Sequence, residues 1–335
     1  MKVLFIGGTG TISYSCSKLA IEKGFEVSLL NRGRNSLREP LSGAEMILGD
    51  IREPETVRNA LGDRRFDVVI DFLAFNPGHI EIDLDLFQGR TNQFIFISSA
   101  SAYQTPPKRL PVTEETPLDN PFWQYSRDKA ACEHRLMQAY LEEGFPVTIV
   151  RPSHTFDEGY IPITGRWTTV DRLLQGKPVI TYGDGTSVWT MTHSTDFAKG
   201  FVGLFGKDLA IGQAYHITSD EWQTWDQIMG KLASALGVQP KIVHVPSDLI
   251  AQFDREWGEG LLGDKAHSFI LDNSKIKALV PEFVCTVPFS EGIIRSVEFH
   301  RQHSELREIN EKFNTTVETI LDSYAKAWPA GAWWV

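Results

Sequence analysis

Through its first 152 residues the chain alternates short apolar runs with stretches of helical periodicity. Residues 3–6 are continuously apolar and stop at Gly7-Gly8; residues 11–23 then repeat apolar positions at helical spacing and close on Gly24. Residues 26–30 read as a second strand and 46–48 as a third, after which Pro54, a residue favoured in a first helical turn, opens a helix. Strands at 66–70 and 93–97 bracket a helix near 79–87. A long helix over 122–142 ends at Gly144, and 147–150 makes a sixth strand. Runs such as Val68-Val69-Ile70 are apolar at every position, as a strand buried on both faces requires. Strand and helix in alternation, with short connections, predict an α/β fold: a Rossmann-type doubly wound parallel sheet. The dinucleotide-binding domain is expected over 1–152, with a return segment near 190–210.

After Arg151-Pro152 the texture changes. All nine tryptophans lie beyond residue 120 and turns such as Tyr182-Gly183-Asp184-Gly185 appear. A smaller substrate-binding lobe is expected over 153–189 and 211–326, followed by an aromatic tail at 327–335. Core packing accounts for most of the tryptophans, with Trp167 and Trp189 as candidates to wall a pocket.

Composition narrows the class. Hydrophobic residues at 42% and charged residues at 23% are ordinary for a globular chain. A net charge of −10 opposes a nucleic-acid partner, because phosphate binding relies on clustered Lys and Arg. Cys16, Cys132 and Cys285 show no zinc spacing and no disulfide framework, and read as core thiols in a reducing compartment. The N-terminal apolar run is too short for a signal peptide, and no apolar stretch approaches membrane-spanning length, so a cytoplasmic protein without a membrane partner is expected.

The strongest motif is Gly7-Gly8-Thr9-Gly10-Thr11-Ile12-Ser13, set between a buried strand and a helix. Glycines there let the backbone turn tightly and approach a pyrophosphate whose charge rests on the helix N-terminus. Gly7, Thr9, Gly10, Thr11 and Ile12 are therefore assigned to a dinucleotide. Ser13 stands where a third glycine is usual, and must fit between helix and strand. At the end of the second strand an acidic residue would bind the ribose 2′-hydroxyl and repel a 2′-phosphate. Here Asn31 is neutral, and Arg32 and Arg34 can pair with a phosphate, which favours NADP over NAD. Asp50 and Ile51, after the third strand, are placed at the adenine.

Tyr125 and Lys129, four residues apart, share a helical face. A tyrosine with its ordinary pKa near ~10 is a poor base, and an adjacent ammonium together with a positive nicotinamide ring is expected to pull it down. Spacing alone does not discriminate, because Tyr14 and Lys18 repeat it inside the first helix. Position does. The fifth strand ends in Ser98, Ser99 and Ser101, beyond the carboxyl edge of the sheet where ligands of open α/β folds bind. Ser99 and Ser101 are assigned to substrate. His300 and His303 read as a solvated helical face, and no metal site is expected.

In this order, Gly7 to Ser13, Ser98-Ser99-Ala100, Tyr125/Lys129 and the turn at 182–185 resemble the extended short-chain dehydrogenase/reductase family, especially its NAD-dependent epimerase/dehydratase branch. The resemblance implies Tyr125 as acid or base, Lys129 as its activator and ribose anchor, and Ser99 as orienter of a substrate hydroxyl. It implies that Leu73 and Ala74 lie over the cofactor, together with Ser98, and that Pro152, Ser153 and His154 line the nicotinamide side. Residues 192–198 resemble the return helix after the glycine-rich turn. Trp189 stands where sugar-nucleotide members place a diphosphate-binding arginine, and Ala100-Ser101 where dehydratases place an Asp-Glu pair. Both departures favour an NAD(P)-dependent epimerase, dehydrogenase or reductase of a small hydroxylated substrate over a sugar-nucleotide dehydratase. Residues 29–33 are also similar to atypical members related to chloroplast stem-loop binding proteins, which keeps a non-catalytic or RNA-associated dinucleotide-binding protein as the alternative. Family members often pair through the helix of Tyr125, so a homodimer is expected, with Ala130, Leu136 and Met137 as outward candidates.

Overall fold

A computed structural model describes residues 1–33 and 37–327. The chain runs β1 Lys2–Ile6, α1 Ser13–Glu22, β2 Glu26–Asn31, β3 Ala44–Leu48, α2 Pro54–Leu61, β4 Phe66–Asp71, α3 Pro77–Phe87, β5 Thr91–Ile97, α4 Gln124–Glu143 and β6 Val147–Pro152. The remainder continues through β7 His154–Phe156, α5 Trp167–Leu174, β8 Pro178–Tyr182, β9 Val188–Trp189, β10 Met191–His193, α6 Ser194–Val202, β11 Gln213–Ile217, β12 Gln223–Thr224, α7 Trp225–Leu236 and β13 Lys241–Val245. A helical region beyond β13 completes it.

The central sheet has seven strands in the order β11-β6-β5-β4-β1-β2-β3, all parallel. Strand order reverses between β1 and β4, which opens the ligand crevice at their carboxyl ends. Every residue of Val3–Ile6 and of 68–70 is fully buried, as continuous apolar strands between two helical layers must be. All six expected strands and the helices between them form.

Three differences follow from tertiary context. The sheet gains a seventh strand, β11, from a segment expected in the smaller lobe. It aligns with β6 from Gln213 against Thr148 to Ile217 against Pro152. Of the three apolar positions offered for a contact between copies, Ala130 and Leu136 face inward, 9% and 0% exposed, and Met137 is partly buried against the core. His300 is 4% exposed and stacks flat on Trp167 at 5.5 Å, with its Nδ1 2.8 Å from the Ser296 carbonyl. A helix face that looks polar in sequence is thus partly core, and Trp167 is spent on that stack rather than on a pocket wall.

Trp189 belongs to the lobe's own core with Trp225 and Phe269, at ring separations of 6.1 and 5.8 Å. The aromatic residues from 328 onward, and Arg34, lie outside the described residues. No helix among the described residues is long and apolar enough to cross a membrane.

Candidate active site

Two cavities meet at the carboxyl edge of the sheet. The larger, about 620 Å³, runs from the glycine-rich turn past the ends of β2, β3 and β4 to Ser98, Ser99, Tyr125 and Lys129. The smaller, about 380 Å³, opens from the same Ser99 and Tyr125 toward the second lobe. Thr11, Ile12, Pro152 and Ser153 line both.

The glycine-rich turn is shaped as a dinucleotide cradle. Gly7 and Gly8 have φ of +107° and +74°, which residues with a Cβ rarely adopt. A Cβ on Gly8 would come within 2.7 Å of Leu29, so the turn can sit against β2 only without one. Ser13 is buried, and its Oγ accepts the Gly10 N–H at 2.8 Å, so the residue in the third-glycine position locks the turn. No side chain caps the N-terminus of α1, which leaves its first amides for an anion.

Among the described residues, the assigned cofactor residues fall along this cleft with two exceptions. Gly7, Thr9, Gly10, Thr11, Ile12, Asn31, Arg32, Asp50, Ile51, Leu73, Ser98 and Pro152 line it. Asn31 Oδ1 accepts the Gly33 amide at 2.8 Å, and Arg32 reaches Asp50 at 3.7 Å while remaining 59% exposed. Ala74 is fully buried and contributes a carbonyl beneath the cleft rather than a surface over it. His154 lines the smaller cavity only, facing Tyr160 at 6.1 Å. Burial, with Lys265 and Arg166 nearby, pushes its pKa down to about 3, so it is neutral. Arg52, which sequence reasoning missed, also lines the cleft. It donates to the Leu73 carbonyl, and its Nη1 is buried without a partner within the protein. The cradle and this unused donor fit a nicotinamide dinucleotide.

Lys129 is 2% exposed, and its Nζ donates to the carbonyls of Ala74 and Ile97, both at 2.7 Å. An ammonium has three donors, so one remains for the cleft. The Nζ lies 5.9 Å from the centre of the Tyr125 ring. Burial lowers the Lys129 pKa to about 8.

Burial pushes the Tyr125 phenol up to about 12, and the group that pulls it down is the Ser99 hydroxyl. The physical reason is that the phenol is withdrawn from water while the lysine is tied to two backbone carbonyls. Ser99 Oγ, at the junction of the cavities, lies 2.9 Å from Ser101 Oγ, which lines the smaller one. The repeated pair Tyr14/Lys18 takes no part: Lys18 is exposed, and the Arg38 guanidinium lies over the Tyr14 ring at 5.2 Å.

The serine turn has a buried foundation. Ser98 donates to Glu133, which is clamped by Arg151 through contacts of 2.5 to 3.1 Å, and Arg151 Nη1 lies 2.6 Å from Tyr103 Oη. Glu133 falls two helical turns after Tyr125, on the same inward face, and is 2% exposed. Among the described residues no group of three or more His, Cys, Asp or Glu could hold a metal ion.

Residues 3–217 match the NAD dependent epimerase/dehydratase family. The chain belongs to that family. Among its relatives, the chloroplast stem-loop binding protein of 41 kDa b from Arabidopsis thaliana is 28% identical over 72% of this chain. The match spans 65% of that protein, just under two thirds of its length. A 2′-dehydrokanamycin reductase from Streptomyces kanamyceticus is 23% identical over 84% of this chain and 80% of its own. The fold matches a Bacillus cereus UDP-glucuronic acid 4-epimerase solved with NAD, at a TM-score of 0.74 and 21% identity, over 92% of this chain and all of that one. The resemblance read from the motifs agrees with this membership, and the class read from the sequence, an epimerase or dehydrogenase/reductase using a nicotinamide cofactor, agrees with it too.

Proposed function

We propose that this protein is an NAD(P)-dependent oxidoreductase or epimerase acting on a secondary hydroxyl of a sugar-like small molecule. What supports the reading is one convergence: Ser99 and Tyr125 line both the dinucleotide-shaped cleft and the smaller cavity, with Lys129 at the cleft end. Ser99 orients the substrate hydroxyl, and the Tyr125 oxygen takes or returns its proton. Lys129, fixed by two carbonyls, turns its remaining N–H to the cleft, where a cofactor ribose would sit. The nicotinamide dinucleotide, when bound, supplies the hydride acceptor and donor; an epimerase keeps it through the cycle, a dehydrogenase or reductase exchanges it. Incubation with oxidised cofactor and a panel of polyols and glycosides should either raise the reduced-nicotinamide absorbance or convert at least one compound to its epimer by NMR, and a panel silent in both readouts with bound cofactor contradicts the reading.

NADP is the cofactor we favour, because the end of β2 carries neutral Asn31 and exposed Arg32 in place of an acid. Arg32→Ala should weaken NADP by about tenfold, the worth of a charge-assisted hydrogen bond, while NAD changes little. Equal losses for both would remove the phosphate role. A cytoplasmic setting agrees with the three cysteines being unpaired.

The name of the chloroplast relative describes stem-loop binding. The net charge of −10 and the convergence at Tyr125 weigh toward a small molecule here.

A further inference from the structure

The smaller cavity has a polar corner that the family resemblance did not supply. A single π-helical turn, Leu261–Lys265, interrupts the helical region after β13, and such turns concentrate at functional sites. Its last two residues, Asp264 and Lys265, line the cavity and pair at 2.8 Å, with side chains only 12% and 17% exposed. The turn is held rigidly. Asn120 Nδ2 donates to the Gly263 carbonyl at 2.6 Å and to the Ser101 carbonyl at 2.7 Å, tying this turn to the serine turn. Trp225 Nε1 donates to the Lys265 carbonyl at 2.9 Å. The Lys265 ammonium lies 5.7 Å from the Trp123 ring and 6.0 Å from Trp189. Trp189 is 3% exposed and lines the cavity, and its Nε1 is a buried donor with no partner within the protein. An unmet buried donor is costly, and a ligand acceptor would satisfy it.

We propose that Asp264 and Lys265 are the specificity pair of this site, reading neighbouring hydroxyls of an uncharged polyhydroxylated ring whose apolar face rests on Trp123. The proposal depends on the oxidoreductase reading above and names its substrate class: a free or simply glycosylated sugar or cyclitol, without a diphosphate. Adjacent ring hydroxyls present a donor and an acceptor together, and the couple answers with a carboxylate acceptor and an ammonium donor. Because Lys265 is already neutralised by Asp264, the corner offers no net charge to a phosphate, and the carboxylate repels one. Aromatic flanks with a few fixed polar groups are the usual make-up of a pocket that orients such a ring. The Arg166 guanidinium lies over the ring of Tyr160, a lining residue, at 4.9 Å and gives the test its opposing arm.

The test titrates the full chain, saturated with oxidised cofactor, with methyl glucoside, methyl galactoside, methyl mannoside, myo-inositol, cyclohexanol and UDP-glucose. Binding is followed by calorimetry and tryptophan fluorescence. At least one pyranoside or inositol should bind, cyclohexanol should not, and Asp264→Asn and Lys265→Met should each weaken the best ligand by about tenfold or more. Lys265→Arg should recover part of the loss, which a folding defect would not. Cofactor affinity should stay at the wild-type value in all three variants. Tyr125→Phe should keep ring binding while losing turnover, so failure of the catalytic reading and failure of the pair are separable. The proposal is overturned if ring affinity is unmoved in both variants, if no ring compound binds, or if UDP-glucose binds far more tightly than every pyranoside and loses that advantage in Arg166→Ala.

Discussion

Tyr125→Phe lowers turnover by about 10²–10⁴-fold, the range for removing a positioned acid or base. Cofactor binding should survive, because the ring stays in place beside Trp123 at 4.9 Å and only the oxygen leaves. The same phenol sets a pH signature. Burial raises its pKa to about 12, so it is protonated at neutral pH, and the phenolate fraction grows about tenfold per pH unit below that value. Oxidation, which needs the base form, should therefore accelerate with rising pH, whereas reduction, which needs the acid form, should not. A cationic ring over the phenol moves the rise to lower pH with the same sign. An oxidation rate that falls from pH 6 to 8, or a Tyr125→Phe variant retaining most activity, removes Tyr125 from the mechanism.

The second large effect is on stability. Arg151→Met leaves the Glu133 carboxylate buried without its guanidinium, a change that costs about 3–5 kcal/mol. Against a total stability of roughly 5–15 kcal/mol this is severe. The double variant Glu133→Gln/Arg151→Met should recover a good part of the loss, because the stranded charge is then gone. Urea unfolding followed by circular dichroism measures both. A single variant as stable as wild type would show that water reaches the carboxylate.

The sheet was legible because its central runs, Val3–Ile6 and 68–70, are apolar at every position and could only be buried on both faces. The cradle was legible because strand, glycines and helix follow within a dozen residues. β11 was missed because its half-polar run, Gln213 to Ile217, reads as an edge strand of any sheet, and only β6 beside it decides which. Asp264 and Lys265 were missed for a different reason. They lie far along the chain from Tyr125, on a π turn with no periodic signature, and a bond from Asn120 brings them to the serine turn. Arg52 carried a weak signal, two residues past Asp50, whose Oδ1 accepts its amide at 3.0 Å. How far burial raises the Tyr125 phenol was not legible, because sequence shows which charge is near but not how dry the site is.

The central claim is that a nicotinamide dinucleotide lies with its pyrophosphate against the turn of Gly7 to Gly10 and its ring toward Tyr125. Gly10→Ala tests it most directly. A Cβ there meets only Ser13 Oγ, at 3.4 Å, so the fold tolerates it, while the methyl group intrudes on a phosphate that needs bare backbone. Reduced-cofactor fluorescence should show saturable binding to the wild-type chain, weakened about tenfold or more in Gly10→Ala with unchanged thermal stability. Absence of saturable binding, or equal affinity in the two proteins, would contradict the account.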